Sequence, residues 1–208
     1  MIKMKDNITD FKIVNGKLIK YTGKAEKLIL PYNVTKIGKK VFHSCENIRI
    51  VELPENLTLM EEEAFYDCEN LREIIFPSKL EYIEEGAFGY CSSLEKIVFS
   101  ENIKKIGKEA FLFCTSLKEI KLKGIMTHLE DSIFEGCYML ETVEIPDSIL
   151  SIGIDVFAGC DSLKTVYCTK GSITDYYVQF ALHDKVTLKY TGISKNKISL
   201  EKFLKQIL

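Results

Sequence analysis

Six cysteines of this chain, Cys45, Cys68, Cys91, Cys114, Cys137 and Cys160, are separated by one constant interval of 23 residues. A phenylalanine stands three positions before each, at Phe42, Phe65, Phe88, Phe111, Phe134 and Phe157. Two residue types on one period point to an array of stacked units, because self-similarity at a fixed step of roughly 20–50 residues is the mark of a repeat architecture. Apolar residues keep the same step. Three after each Cys come Ile48, Leu71, Leu94, Leu117, Leu140 and Leu163, and three further on Val51, Ile74, Ile97, Ile120, Val143 and Val166. Leu53, Phe76, Phe99, Leu122, Ile145 and Cys168 follow two later, with Pro54, Pro77 and Pro146 behind three of them. The unit reads C-x-x-L-x-x-I-x-L-P-x-x-L-x-x-I-x-x-x-A-F-x-x-C.

This unit resembles the leucine-rich repeat, and more closely its 23-residue BspA-like variety, over about residues 25–170. The resemblance implies an α/β repeat fold: a right-handed solenoid of about seven coils with a parallel β-sheet on its concave side. It also implies protein interaction or adhesion, since relatives of this type are often displayed on cell surfaces. Some coils depart from the pattern: Ser100 and Lys123 replace the proline, Ile133 stands where Ala64, Ala87 and Ala110 stand elsewhere, and Gly124-Ile125 interrupts the fifth coil, where a local distortion is expected. One coil buries too little by itself to offset the entropy of ordering it, so each hides its apolar side only by lying on the next. Within a coil, L-x-x-I-x-L is predicted to form the strand, with its first, fourth and sixth residues inward. The A-F-x-x-C end is too short for a regular helix and is predicted to be a helical turn or 3₁₀ segment on the opposite wall.

A stack has two open ends, which need caps. Residues 1–24 are predicted to form an N-terminal hairpin cap: Phe11-Lys12-Ile13-Val14 and Lys17-Leu18-Ile19-Lys20-Tyr21 flank Asn15-Gly16, the pair a type I′ turn prefers because both central residues take positive φ. Residues 171–208 are predicted to form a C-terminal helix and strand cap. Ser172 with Asp175 reads as a capping box opening a helix through Ile173, Tyr176, Tyr177, Phe180 and Ala181; Val186, Leu188 and Tyr190 alternate as a strand. Ser199 precedes a stripe of Leu200, Phe203, Leu204, Ile207 and Leu208 at helical spacing, which either docks on the cap or mediates self-association.

The candidate chemistry is sparse. With seven cysteines but no C-x-x-C, and with His43, His128 and His183 lacking paired ligand spacing, no metal site is expected. In-register side chains point in parallel, so a ladder of buried free thiols is expected rather than disulfides. Neither a G-x-G-x-x-G nor a P-loop sequence offers a phosphate cradle, and no G-x-S-x-G or H-E-x-x-H occurs, so no cofactor and no enzymatic activity are expected. Lysine plus arginine number 28 against 30 acidic residues, a net charge of −2, which disfavours nucleic acid as a partner. No apolar run reaches the roughly 20 residues of a membrane span, and no export signal is visible, so the chain reads as cytoplasmic as written, or as surface-bound or secreted if a leader was removed. The sequons Asn7-Ile8-Thr9, Asn33-Val34-Thr35 and Asn56-Leu57-Thr58 are present; Asn33, Asn56 and Asn102 share one repeat position, where turn chemistry accounts for asparagine.

The functional lead is the concave sheet, where each coil presents one residue per column. Ile50, Ile75 and Val98 are predicted to face water as an apolar centre, with Glu52, Glu73, Lys96, Glu119, Lys121, Glu144 and Tyr167 around and along the same face. This arrangement predicts a non-catalytic module that binds a protein partner.

Overall fold

A computed structural model describes residues 8–182 and 185–207. The first sequon's Asn7, as well as His183 and Leu208, lie outside these. The chain forms a parallel-sheet solenoid. Its larger sheet takes one strand from each coil: β3 (Lys27–Ile29), β5 (Ile50–Glu52), β7 (Glu73–Ile75), β9 (Lys96–Val98), β11 (Glu119–Lys121), β13 (Thr142–Glu144) and β15 (Thr165–Lys170). Each pairs with the next in parallel, 23 residues on: Lys27 with Ile50, Glu73 with Lys96, Thr142 with Thr165. The predicted inward residues are buried from Leu28 to Val166 beneath the strands, except Leu53, which is half-buried.

A second sheet, not foreseen from the pattern, is built from two-residue strands: β4 (Lys36–Ile37), β6 (Leu59–Met60), β8 (Tyr82–Ile83), β10 (Lys105–Ile106), β12 (His128–Leu129) and β14 (Ser151–Ile152). It breaks into two pieces between β10 and β12. The break falls at the predicted distortion. Gly124 adopts φ +103°, and Ile125 N–H bonds Ile103 O at 3.1 Å, one residue out of step with the 23-residue offset. A Cβ on Gly124 would lie 2.4 Å from that same carbonyl, which only glycine avoids.

The opposite wall corrects the expectation of a helical or 3₁₀ turn. Lys40, Phe42 and Ser44 donate their N–H groups to the carbonyls of Glu62, Ala64 and Tyr66 in the next coil, at 3.1, 2.9 and 2.8 Å. Val41, His43 and Cys45 close tight turns on Gly38, Lys40 and Phe42. Alternate N–H groups thus point along the solenoid axis, which a helix cannot arrange because it turns every N–H back on its own carbonyls. Two left-handed residues per coil make this possible: Lys40 (φ 59°) and Ser44 (53°), Glu63 (53°) and Asp67 (60°), Gly86 (60°) and Tyr90 (60°).

Inside this wall the repeat phenylalanines stack from coil to coil, with ring centroids 4.6 Å apart for Phe42 and Phe65, 5.4 Å for Phe65 and Phe88 and 5.4 Å for Phe88 and Phe111. All seven cysteines are free. The thiols of Cys68, Cys91, Cys114 and Cys137 donate to the carbonyls of Phe42, Phe65, Phe88 and Phe111, at 3.1 to 3.4 Å. Each of these carbonyls also accepts the N–H of the cysteine three residues later in its own coil, so both lone pairs are used. Burial pushes the Cys91, Cys114 and Cys137 thiols up, and Cys160 up to about 12.

The ends are built from different elements. β1 (Phe11–Val14) and β2 (Lys17–Tyr21) form the predicted hairpin, with Asn15 at φ 50° and Gly16 at 77°. The hairpin extends the second sheet, β2 pairing β4 in parallel, and Tyr21 covers Phe42 at 5.2 Å. At the other end, α1 (Ile173–Ala181) starts at Ser172, whose Oγ accepts the Asp175 N–H at 3.2 Å. The reciprocal half of a capping box is altered, since Asp175 Oδ2 accepts from Gly171 N–H at 2.7 Å instead of from Ser172. The predicted 186–190 strand is β16 (Thr187–Ile193), and it is an eighth parallel strand of the larger sheet, with Val166 opposite Leu188. Asp147 ties down the return: it accepts from Thr169 Oγ1 at 2.6 Å, from Ser194 Oγ, and from Lys195 N–H at 2.9 Å. The terminal helix α2 (Leu200–Ile207) docks Phe203 against Tyr176, ring centroids 5.7 Å apart. No helix among the described residues is long and apolar enough to cross a membrane.

Candidate functional site

A three-residue strand in a parallel sheet points its middle side chain one way and its flanking two the other. In β5, β7, β9 and β11 the middle residues Val51, Ile74, Ile97 and Ile120 fill the core, so the flanking ones form the sheet's outer face. All ten residues singled out from the sequence lie there. Ile75 is 57% exposed, Ile50 48% and Val98 38%. Ile75 and Val98 are direct register partners, whereas Ile50 pairs with Glu73 in the neighbouring column and reaches Ile75 only diagonally. Ile29, at 48% exposure, extends this apolar set to the first strand.

The charged residues around this centre are largely satisfied by one another. Lys96 Nζ bonds Glu73 Oε1 at 3.2 Å, Lys121 meets Glu119 at 2.8 Å, and Glu52 takes Lys27. Hydrogen bonding to Glu119 holds the Lys121 ammonium above the usual lysine range. These pairs are exposed and contribute little to stability. They do set a rim of alternating sign around an uncharged middle. Beyond Val98 a depression of about 460 Å³ opens, lined by Lys96, Val98, Phe99, Lys118, Glu119 and Lys123 among others. It lies where β9 and β11 keep a single register pair, Lys96 with Glu119. Glu144 and Tyr167 are half-buried, because β16 continues the face past them; Lys189 Nζ lies 5.5 Å from the Tyr167 ring centroid.

One surface feature escaped the sequence reading. On the outside of the turn wall His43, Tyr66, Tyr90, Phe113 and Tyr138 form a ladder with successive centroids 5.2, 5.3, 5.2 and 6.1 Å apart. Small residues make room for it: a Cβ on Gly89 would lie 2.8 Å from the Tyr66 ring, and one on Gly136 2.4 Å from Phe113. Two of its steps of 23, 24, 23 and 25 residues overshoot the period, and the residue type changes along it, which hides it from a search for repeats. Among the described residues no group of three or more His, Cys, Asp or Glu side chains is placed to hold a metal ion.

A model of the BspA-type leucine-rich repeat region, in six copies, matches residues 12–141 and 83–203. The chain belongs to the BspA-type leucine-rich repeat family. Solved structures agree. A leucine-rich repeat protein from Bacteroides ovatus is 29% identical over 80% of this chain, with a TM-score of 0.68, and this chain covers 42% of it. The leucine-rich repeat protein of T. pallidum is 25% identical over 77% of this chain and 91% of its own, with a TM-score of 0.64. The pneumococcal vaccine antigen PcpA shares the fold at 22% identity and a TM-score of 0.64, over 89% of this chain and 46% of its own. No curated protein matches the chain.

Proposed function

We propose that this BspA-type solenoid is a non-catalytic protein-binding module that holds its partner on the outer face of the larger sheet. The observation that carries this reading is the exposure of Ile50, Ile75 and Val98 on adjacent, mutually braced strands, inside a rim of paired charges. Apolar side chains held by parallel pairing on a preformed surface lose little entropy on binding, and rim pairs that are already neutralised favour a partner whose contact is apolar at its centre. An adhesion role for such a surface is the narrower form of the same reading.

The test is affinity capture from the source cell's lysate, and separately from extracellular matrix proteins, with the wild type and with Ile75→Asp/Val98→Lys. The double variant is expected to keep its far-ultraviolet circular dichroism and lose the captured protein. Equal capture by both would overturn the assignment of this face.

A further inference from the structure

The last coil of the wall carries an unfilled version of the hydrogen-bonding edge used between all the coils before it. At each interior junction three alternate N–H groups donate to three carbonyls of the next coil, as Gly86, Phe88 and Tyr90 do to Lys108, Ala110 and Leu112, at 3.0, 2.8 and 2.7 Å. The equivalent donors in the last coil are Asp155, Phe157 and Gly159. Asp155 keeps φ 55° and Gly159 φ 69°, so the backbone is held in the interior conformation. Yet among the described residues these three N–H groups have no acceptor. The reason lies in the chain that follows. Residues 23 positions on from 154, 156 and 158 are Tyr177, Gln179 and Ala181, which belong to α1 and direct their carbonyls along the helix. The Phe157 carbonyl likewise lacks the thiol donor that Phe134 receives from Cys160 at 3.2 Å.

Among the described residues the cap does not close over this edge. Between the last coil and the cap lies a slot of about 910 Å³ whose walls include Ile152, Leu163, Tyr177, Phe180 and Val186. Tyr177 takes the place of the next stacked ring only obliquely, 6.4 Å from Phe157 and tilted by 56°. Among the described residues its lining carries Asp131, Asp155 and Asp161 against Lys185, an acidic excess.

We propose that this slot binds a peptide segment of a partner, one that takes up the turn conformation of a further coil. Such a segment offers carbonyls at alternate residues to Asp155, Phe157 and Gly159, places an aromatic side chain in the slot, and carries a lysine at its N-terminal end toward the acidic lining. The face is separate from the outer sheet, and neither proposal depends on the other.

The probe is the synthetic peptide acetyl-GKEAFLFC-amide, the sequence of residues 107–114, under reducing conditions with the full chain. Titration calorimetry is expected to give saturable 1:1 binding, and amide hydrogen exchange a slowing of at least about tenfold at Asp155, Phe157 and Gly159. Phe180→Glu, at an exposed slot position, is expected to weaken binding at least about tenfold with the fold intact, and Ile75→Asp/Val98→Lys to leave it unchanged. Absence of binding at 1 mM peptide would overturn the proposal, as would equal binding of a scrambled peptide. Decanoate protecting the same amides would make the slot an apolar-ligand pocket instead. A concentration-dependent dimer protecting them without peptide would assign it to a second copy.

Discussion

The thiol ladder makes the stability of this protein depend on pH in a way that can be worked out in advance. Cys68, Cys91, Cys114 and Cys137 are fully buried and their ionisation is pushed up, by burial in each of the last three and in Cys68 first by its neighbour Cys91 and then by burial. A thiol in the unfolded chain ionises near 8.5. Raised folded-state values mean that the unfolded chain loses these protons first. The stabilisation is therefore complete below about pH 8.5 and declines as pH rises beyond it. At pH 10, about 1.5 units above the unfolded value, a thiol that stays protonated in the folded protein costs about 2 kcal/mol, a sizeable part of the roughly 5–15 kcal/mol that holds a typical domain folded. Lysines and tyrosines titrate in the same range, so the informative quantity is a difference. Cys114→Ala removes one buried thiol, while the Phe88 carbonyl it served keeps its bond from Cys91 N–H. Urea unfolding of both proteins under reducing conditions from pH 7 to pH 10 is expected to show the variant less stable at pH 7. The gap then narrows by about 2 kcal/mol by pH 10. A gap that stays constant would mean that Cys114 ionises in the folded protein as it does in the unfolded one, and the ladder would not be buried.

Two other perturbations act on single junctions. Gly124→Ala places a Cβ 2.4 Å from Ile103 O at φ +103°, and is expected to cost more than about 1 kcal/mol in urea unfolding, while Gly192, which has no positive φ and whose Cβ would meet nothing nearer than Thr169 Cγ2 at 3.9 Å, serves as the comparison site. Asp147→Asn weakens the tie to Ser194 and Lys195, with hydrogen exchange expected to quicken across residues 194–204 and not in the coils. Partial burial pushes the Asp147 carboxyl up, but the bonds from Ser194, Thr169, Lys195 and Asn196 outweigh it and hold the group below the usual range, so the tie is present above about pH 4 and lost as pH falls, a loss the Asn variant is expected not to show.

What the sequence disclosed and what it withheld divide along one line. The 23-residue step, the inward set from Leu28 to Val166, the hairpin turn at Asn15-Gly16 and the disturbance at Gly124 all follow from side chains whose type is fixed by burial or by φ. The wall does not, because its left-handed positions are filled by Lys40, Glu63, Gly86, Glu109, Ser132 and Asp155, residues with nothing in common except the backbone shape imposed on them by inter-coil hydrogen bonds. Only Gly86, and in the wall's second left-handed column Gly136 and Gly159, hinted at it. The two-residue strands of the second sheet were invisible for the same reason, since their pairing is a property of the neighbouring coil. β16 showed its alternation, but local alternation says nothing of which edge a strand joins across an intervening helix. The ten candidate residues of the outer sheet follow from strand parity alone, whereas the depression beside Val98 and the slot behind Phe157 arise where pairing stops.

Strand parity is what the whole account stands on, and two substitutions one residue apart test it. Ile74 is wholly buried and Ile75 is 57% exposed, on the same three-residue strand. Urea unfolding is expected to show Ile75→Asp within about 1 kcal/mol of wild type, the span of β-propensity on an open face. Ile74→Asp, which buries a carboxylate among apolar side chains, is expected to lose more than about 4 kcal/mol or fail to fold. The reverse order would place the proposed binding face inside the protein and contradict the account.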